Sequence, residues 1–156
     1  SLPTPTPLAP PAPSLAATIL GLWRLETRED HDATGQRRID PVMGPDPLGF
    51  LAFSPGHFAA QFMNRDRSAA GHSTAAPGAN NSGAVNGYDA YFGSYTLDVA
   101  RGTIAVTLQG GLSPGNIGQT FVREIRADAE RLIIQLDTTA VDGTPITRRL
   151  TFRRAT

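Results

Sequence analysis

The chain has 156 residues, with no cysteine, 16 glycines, 13 prolines and 14 basic residues, all of them arginine, against 14 acidic ones. This composition fits one globular domain with one core; it excludes disulfides and thiolate metal sites, argues against a helical bundle, and supplies no net positive charge for nucleic-acid binding. Because no apolar run approaches the ~20 residues of a transmembrane helix, we expect a soluble protein without a transmembrane segment.

The first 13 residues form a proline-rich leader. They hold six of the 13 prolines, and such a run favours extended polyproline II structure. We therefore predict a flexible leader over residues 1–13 and one folded domain over residues 14–156. The alternative role for this segment is that of a ligand for a proline-binding module. A leader without cysteines favours an exported or periplasmic location over a cytoplasmic one, although a trimmed chain would look the same.

A short helical turn is predicted next, followed by strands. Ser14 is a typical N-cap, so we predict a turn of helix from Leu15 to Ile19, ended by Gly21. From Leu22 onward, apolar and polar residues alternate with the period of two that is typical of half-buried strands. The predicted strands begin at Leu22 and continue over residues 49–54, 57–64, 88–98, 103–109, 117–127, 131–139 and 146–154.

Tight turns connect most of these strands. Pro55-Gly56 is the strongest hairpin signal, and Asp142-Gly143 marks the last turn. Eight or nine antiparallel strands with short turns and no strong helix indicate an all-β protein, either a closed up-and-down barrel or a sandwich. Residues 65–87 break this rhythm with 23 small and polar residues. A segment of this length is typical of a surface insertion or a lid.

Three arginine pairs could form a local basic patch. Successive residues of a strand point to opposite faces, so we expect each pair to divide between two surfaces. A nucleic-acid partner is therefore not expected. The pairs are Arg37-Arg38, Arg148-Arg149 and Arg153-Arg154.

The sequence contains no strong catalytic or metal-binding signature. Patterns of the Gly-x-Ser-x-Gly, Walker and dinucleotide-binding types are missing, and His31, His57 and His72 lack the spacing of ligands on one element. His31 has acidic neighbours, but a solvated acidic loop explains them more simply than a metal does. We predict no metal and no cofactor.

Aromatic residues concentrate on two neighbouring strands. On the first, Phe58 and Phe62 share one face, and His57, Gln61 and Met63 share the other. Large groups on both faces are typical of a barrel, which has a lumen face and an outer face, and an eight-stranded barrel can hold one small ligand.

The second aromatic strand places polar groups in a row. Asp89, Tyr91 and Tyr95 share one face, with Gly93 between them and room expected beside the glycine. These side chains either line a pocket or belong to a plain core.

Several separated blocks of the sequence match one known family. Taken together and in order, they resemble the bacterial and fungal lipocalin-like domain family over about residues 18–154. The resemblance implies a small closed antiparallel barrel that holds an apolar or polyketide-like molecule, and some barrels of this type catalyse cyclisation, isomerisation or lyase reactions. The blocks are Leu20-Gly-Leu-Trp-Arg-Leu25, Pro45 to Arg67, Tyr88 to Asp98, Gly102-Thr-Ile104, Ser113 to Gly118, Arg123, and Leu150-Thr-Phe-Arg-Arg154.

The resemblance also implies a structural pair at one end of the barrel. In calycin barrels, a Gly-x-Trp on the first strand is packed by an arginine from the last strand. Here Gly21-Leu22-Trp23 and either Arg153 or Arg154 occupy the corresponding positions. A guanidinium over an indole ring contributes about 0.5–2 kcal/mol, so we assign Trp23 a structural role and not a catalytic one.

One strand departs from the family pattern. Where many relatives resemble Gly-Thr-Val-Thr-His-His-Val-Glu, this chain has Gly102-Thr-Ile-Ala-Val-Thr-Leu-Gln109, and Gly115-Asn116 replaces an Asn-Trp pair. Valine and leucine cannot transfer protons, so chemistry that needs an imidazole or carboxylate on this strand is lost. Binding does not depend on these groups.

Two main functions follow as hypotheses, and the first is binding. The barrel would carry or sequester a small apolar molecule, with apolar walls and a few polar groups that orient it. The expected ligand-binding residues are Phe53, Gln61, Met63, Tyr91, Tyr95 and Arg123.

The alternative is a cyclase, isomerase or lyase acting on a polyketide- or terpenoid-like substrate. Such catalysis can consist mostly of positioning. A phenol would donate a proton, His57 would act as base, and Arg123 would stabilise an anion or enolate. The candidate catalytic residues are Tyr91, Tyr95, His57, Asp89 and Arg123. A surface interaction domain presented on the leader is a third interpretation, and the sequence predicts neither the ligand nor the oligomeric state.

Overall fold

The computed structural model describes residues 2–5, 13–68, 80 and 82–156. Within these ranges the chain forms one helical turn, one 3-10 turn and nine strands. The predicted leader (1–13) and the predicted insertion or lid (65–87) lie partly outside the described residues, and both stay predictions. The elements are α1 (Leu15–Thr18), β1 (Gly21–Asp32), β2 (Arg37–Arg38), β3 (Leu48–Ser54), β4 (His57–Met63), β5 (Tyr88–Asp98), β6 (Thr103–Gly111), a 3-10 turn (Pro114–Asn116), β7 (Thr120–Ala127), β8 (Arg131–Thr139) and β9 (Pro145–Arg154).

The sheet closes on itself because β1 pairs on both sides. The strand order is β2-β1-β3-β4-β5-β6-β7-β8-β9, with a further β1–β9 pairing. Trp23 of β1, for example, lies opposite Leu51 of β3 and opposite Arg154 of β9. Eight long antiparallel strands therefore form an up-and-down barrel, and β2 adds a short ninth strand. The predicted barrel is confirmed, and the sandwich alternative is wrong.

Local chemistry explains most element boundaries. The Ser14 Oγ accepts a hydrogen bond from the Ala17 N–H at 3.2 Å, so the predicted N-cap is confirmed. β7 begins at Thr120 and not at residue 117, because a 3-10 turn precedes it and Gly118 has a positive φ of 86°. β2 went unpredicted because two residues cannot show an alternation. Among the described residues, no helix is long and apolar enough to cross a membrane.

One end of the barrel, here called the closed end, is plugged by α1. Trp23 is fully buried there and donates from its indole Nε1 to the Ile19 carbonyl at 2.9 Å. The Arg154 guanidinium carbon lies 4.2 Å from the centroid of the Trp23 ring. Of the two arginines that the sequence offered, Arg154 packs on the tryptophan, whereas Arg153 is exposed and pairs with Glu26. The arginine pair thus divides between two surfaces, as predicted.

A β-bulge in β1 changes which residues face the lumen. Leu25 is buried, and the register with β9 then shifts between Leu25 and Thr27. An extra residue in a strand reverses the alternation of its side chains. Arg28 and Asp30 therefore face inward beyond the bulge. The far end of the barrel, here called the polar end, receives charged side chains for this reason.

Candidate functional site

The barrel encloses a cavity of about 90 Å³. Typical pockets for drug-sized ligands measure ~300–1,000 Å³, and an engineered cavity that binds benzene measures ~150 Å³. The cavity as it stands therefore takes only a very small molecule, and a larger ligand requires a wider cavity. The walls are mostly apolar, with Phe53, Phe58, Phe62, Val106, Phe121 and Phe152 among them.

Asp89 and Tyr91 reach the cavity from β5, where they occupy alternate positions of the inner face. The Ser82 hydroxyl donates to Asp89 Oδ2 at 2.5 Å and is also a hydrogen-bond partner of Tyr91. Burial raises the pKa of Asp89 to about 6, against the opposing effect of the Ser82 hydrogen bond. Burial, together with the Asp89 charge, raises the pKa of Tyr91 to about 12. Near neutral pH, Tyr91 is therefore a protonated phenol beside a carboxyl group that can exchange its proton.

Arg123 enters the cavity from β7. Its guanidinium carbon lies 5.1 Å from the centroid of the Phe121 ring. Nη1 donates to the side-chain oxygen of Asn80, and Nη2 donates to the backbone oxygen of Asn80 at 3.1 Å. Burial lowers the pKa of Arg123 to about 10, so the side chain is a cation at neutral pH.

Two further arginines face the cavity, and each has a carboxylate partner. Arg148 donates to the two oxygens of Asp30 at 2.8 and 3.1 Å. Arg28 Nη2 lies 3.1 Å from Asp40 Oδ2, and the same oxygen lies 3.6 Å from Arg148 Nη2. Burial by itself would raise the pKa of Asp40, but Arg28, the Val42 N–H and Arg148 hold it below its usual value. These two arginines and two aspartates form a neutral group, here called the Arg28–Arg148 network.

Four of the residues predicted for the site line the cavity, namely Phe53, Asp89, Tyr91 and Arg123. Their roles toward a ligand stay predictions. His57 lies elsewhere: it is exposed beside the β3–β4 turn, with Nδ1 3.4 Å from the Pro55 carbonyl oxygen. His57 is therefore not among the residues that line the cavity.

Gln61 and Met63 also lie outside the cavity. The inner face of β4 is taken by Phe58, Ala60 and Phe62, so these two side chains project from the outer face. Gln61 accepts a hydrogen bond there from the Tyr88 hydroxyl at 2.6 Å.

Tyr95 lies on the inner face of β5, but at the closed end. Its hydroxyl donates to the Ser54 carbonyl at 3.0 Å, and its ring packs edge-on against Phe53, with centroids 5.1 Å apart.

The prediction of free space beside Gly93 is wrong, because a Cβ at that glycine would stand 1.9 Å from the Thr107 carbonyl oxygen.

The sequence interpretation missed the residues that give the polar end its charge. Arg148 carried a usable signal, because it alternates in phase with the buried Leu150 and Phe152. Arg28 and Asp30 carried no such signal, because the bulge shifts the alternation that begins at Trp23, and both residues then fall on positions that the sequence assigns to the outer face. The remaining residues missed are Asp40, Asn80 and Ser82.

Comparison with known proteins agrees with this architecture. The sequence profile of the lipocalin-like domain family matches residues 20–155. This range contains all nine strands, from Gly21 of β1 to Arg154 of β9. No curated protein matches the chain significantly.

Proposed function

This chain belongs to the lipocalin-like domain family, and from that premise we propose that its barrel binds a small, mostly apolar molecule in the lumen and thereby carries or sequesters it. An eight-stranded barrel has room inside for one small ligand. The observation that carries the proposal is the cavity itself, which has apolar walls and polar groups gathered at one end. That distribution is typical of small-molecule sites, where the few polar groups fix the orientation of the ligand.

The cavity volume limits the ligand. At about 90 Å³, the closed barrel has no space for a polyketide-like molecule. Such a ligand requires Asn80 and Ser82 to leave the polar end. Hydrogen bonds to Arg123, Asp137 and Asp89 hold these two residues there. Bonds of this kind contribute about 0.5–3 kcal/mol each, an amount that burial of an apolar ligand can offset.

A pair of valine variants tests where binding occurs. Val106 lines the cavity, and Val106→Phe fills part of its volume. Val122 lies on the neighbouring strand with 56% of its surface exposed, so Val122→Phe makes the same change outside the barrel. Because toluene needs more space than the empty cavity has, we expect it to displace the side chains at the polar end. It should then raise the melting temperature of the wild type and of Val122→Phe, but not that of Val106→Phe.

Mass spectrometry of organic extracts from the purified protein provides the second measurement. We expect a co-purified small molecule in extracts of the wild type and less of it in extracts of Val106→Phe. The binding proposal fails if no apolar compound shifts the wild-type melting temperature and no molecule co-purifies.

A second function, catalysis, is favoured by the convergence of Asp89, Tyr91 and Arg123 on one cavity. Asp89, with a pKa of about 6, would act as base, the Tyr91 phenol would donate a proton, and Arg123 would stabilise an enolate. These groups suit cyclisation, isomerisation or elimination in a polyketide- or terpenoid-like substrate. If the wild type converts the bound molecule, and Asp89→Asn and Tyr91→Phe bind it without converting it, the protein is an enzyme. If the molecule is recovered unchanged from the wild type, binding is the only function supported.

A further inference from the structure

We propose that the lumen selects a ligand with one carboxylate group, and that this carboxylate binds Arg123 in place of Asn80. The inference rests on the proposed binding function and specifies the chemical class of its ligand: a compact apolar body with a single acidic head. Three features of the polar end lead to it, and they concern its charge, its hydrogen-bond geometry and its apolar surroundings.

The first feature is a cation that has no ion pair among the described residues. In the Arg28–Arg148 network, two cations face two carboxylates. Arg123 forms no ion pair with any carboxylate in the described part of the chain, and residues 69–79 and 81 contain no Asp or Glu. A cation in an apolar cavity is costly unless an anion accompanies it, and a carboxylate ligand supplies that anion.

The nearest candidate counter-ion, Asp89, is directed elsewhere. One of its oxygens accepts from Ser82, and the arginine charges that act on it are those of Arg28 and Arg148. Arg148 is a like charge near Arg123, and the Tyr91 phenol is uncharged at neutral pH. No hydrogen bond or ion pair joins Asp89 to Arg123 in the described part of the chain, where Asp89 accepts from Ser82 and Arg123 donates to Asn80.

The second feature is the pair of hydrogen bonds that Arg123 donates to Asn80. The two terminal nitrogens of the guanidinium donate to two different oxygens of one residue, the side-chain oxygen and the backbone oxygen of Asn80. A carboxylate presents two oxygens to a guanidinium in the same forked manner and adds a negative charge, which makes such bonds about twice as strong as neutral ones. Asn80 is therefore a neutral substitute that a carboxylate can displace.

The third feature is the surroundings of the guanidinium. It lies over Phe121, and the Phe58 and Phe62 rings pack 5.9 and 6.3 Å from that of Tyr91. A ligand held by its carboxylate at Arg123 thus places its remaining atoms against rings. An aromatic acid as small as benzoate meets both requirements.

Benzoate and benzamide form the test pair, because they share one shape and differ in charge. Isothermal titration calorimetry of the wild type at pH 7.5 should show at least tenfold tighter binding of benzoate, a factor that corresponds to about 1.4 kcal/mol. Most of the preference should persist at 1 M NaCl, because a buried pair of charges is screened much less than an exposed pair; a preference that disappears in salt contradicts a contact inside the lumen.

Two arginine variants locate the contact. Arg123→Gln removes the proposed partner, and Arg126→Gln makes the same change on the same strand, where the side chain is exposed. We expect the preference for benzoate to vanish in Arg123→Gln and to persist in Arg126→Gln. Equal behaviour of the two variants would overturn the proposal.

Asn80→Ala supplies a test that does not depend on the folding of Arg123→Gln. Removal of the competing side-chain oxygen should strengthen benzoate binding at least threefold and leave benzamide binding unchanged. An unchanged or weaker benzoate affinity in this variant contradicts displacement of Asn80.

The outcomes separate this inference from the proposed function. If toluene binds and the wild type does not distinguish benzoate from benzamide, carboxylate selection is wrong and lumen binding stands. If toluene, benzoate, benzamide and every other apolar compound tested fail to bind, and no molecule co-purifies, both proposals are wrong.

Discussion

The guanidinium carbon of Arg154 lies 4.2 Å from the centroid of the Trp23 ring, and the same group joins three segments of the chain. It donates to the Leu20 carbonyl at 2.9 Å, to the Ala129 carbonyl at 2.7 Å and to the Thr18 carbonyl. One side chain of β9 thus joins α1, the start of β1 and the β7–β8 turn. In a chain without cysteine, this junction closes the barrel end.

Arg154→Met should therefore destabilise the protein strongly. The variant loses the cation–π contact, worth about 0.5–2 kcal/mol. It also loses three hydrogen bonds, two of them partly buried and one exposed, each worth about 0.5–1.5 kcal/mol. We expect a loss of about 3 kcal/mol in the free energy of unfolding, measured by urea denaturation. Arg153→Met, next along the strand and exposed, is the matched control and should lose much less. Equal losses would show that Arg154 does not hold this end.

The strand pattern was predictable because its signals are local. Pro55-Gly56 and Asp142-Gly143 form turns where they stand, and β5 and β8 have the predicted bounds, Tyr88–Asp98 and Arg131–Thr139. Alternation also separated the two faces of β4 correctly. Alternation does not show which face of a strand borders the lumen. The predicted ligand-binding residues therefore included Gln61 and Met63 from the outer face of β4, although only the inner face borders the lumen.

The charged end of the lumen was not predictable from local pattern. The bulge after Leu25 lies in the pairing of β1 with β9, more than 100 residues away along the chain, and it turns Arg28 and Asp30 inward. Residue Asn80 reaches Arg123 from a segment without periodicity. Both features depend on long-range pairing, which the alternation of one strand does not contain.

Asp30→Asn tests the energetics of the Arg28–Arg148 network. The change leaves the Arg148 guanidinium, 6% exposed, without its bidentate carboxylate. Breaking a buried ion pair by removing one partner costs about 3–5 kcal/mol, and urea denaturation should show a loss of that order. Asp142→Asn breaks the exposed pair with Arg38 and should have a much smaller effect. A similar small effect for both variants would contradict a structural role for the network.

Asp89 should make the stability of the protein pH-dependent in an unusual direction. Its pKa is raised from 3.8 to about 6 in the folded state, so the folded protein binds the proton more tightly than the unfolded chain does. The protonated Asp89 carboxyl group thus stabilises the folded protein fully at a pH below ~4, and this stabilisation is lost as the pH rises through ~6. Two pKa units correspond to about 3 kcal/mol.

The difference between wild type and Asp89→Asn isolates this effect. Relative to the variant, the wild type should lose about 2.5 kcal/mol of unfolding free energy between pH 4 and pH 7. Asp128 is the control, because hydrogen bonds from the Glu130 and Arg131 N–H groups lower its pKa. Its contribution is lost only as the pH falls below about 4, so the difference between wild type and Asp128→Asn should be flat from pH 5 to pH 7. A flat difference for Asp89→Asn as well would contradict a raised pKa.

Gly93 should tolerate no side chain, because β6 approaches it closely. A Cβ there would stand 1.9 Å from the Thr107 carbonyl oxygen and 3.0 Å from the Gln109 nitrogen. Both are backbone atoms of the paired strand, so Gly93→Ala must push β5 and β6 apart where β6 carries its bulge. Overpacking costs typically 1–3 kcal/mol and occasionally more, and we expect a loss of about 3 kcal/mol by urea denaturation. Gly115→Ala, with no atom within 4 Å of its Cβ, should change stability by less than about 0.5 kcal/mol, and equal effects of the two alanines would show that the strands are not in close contact at Gly93.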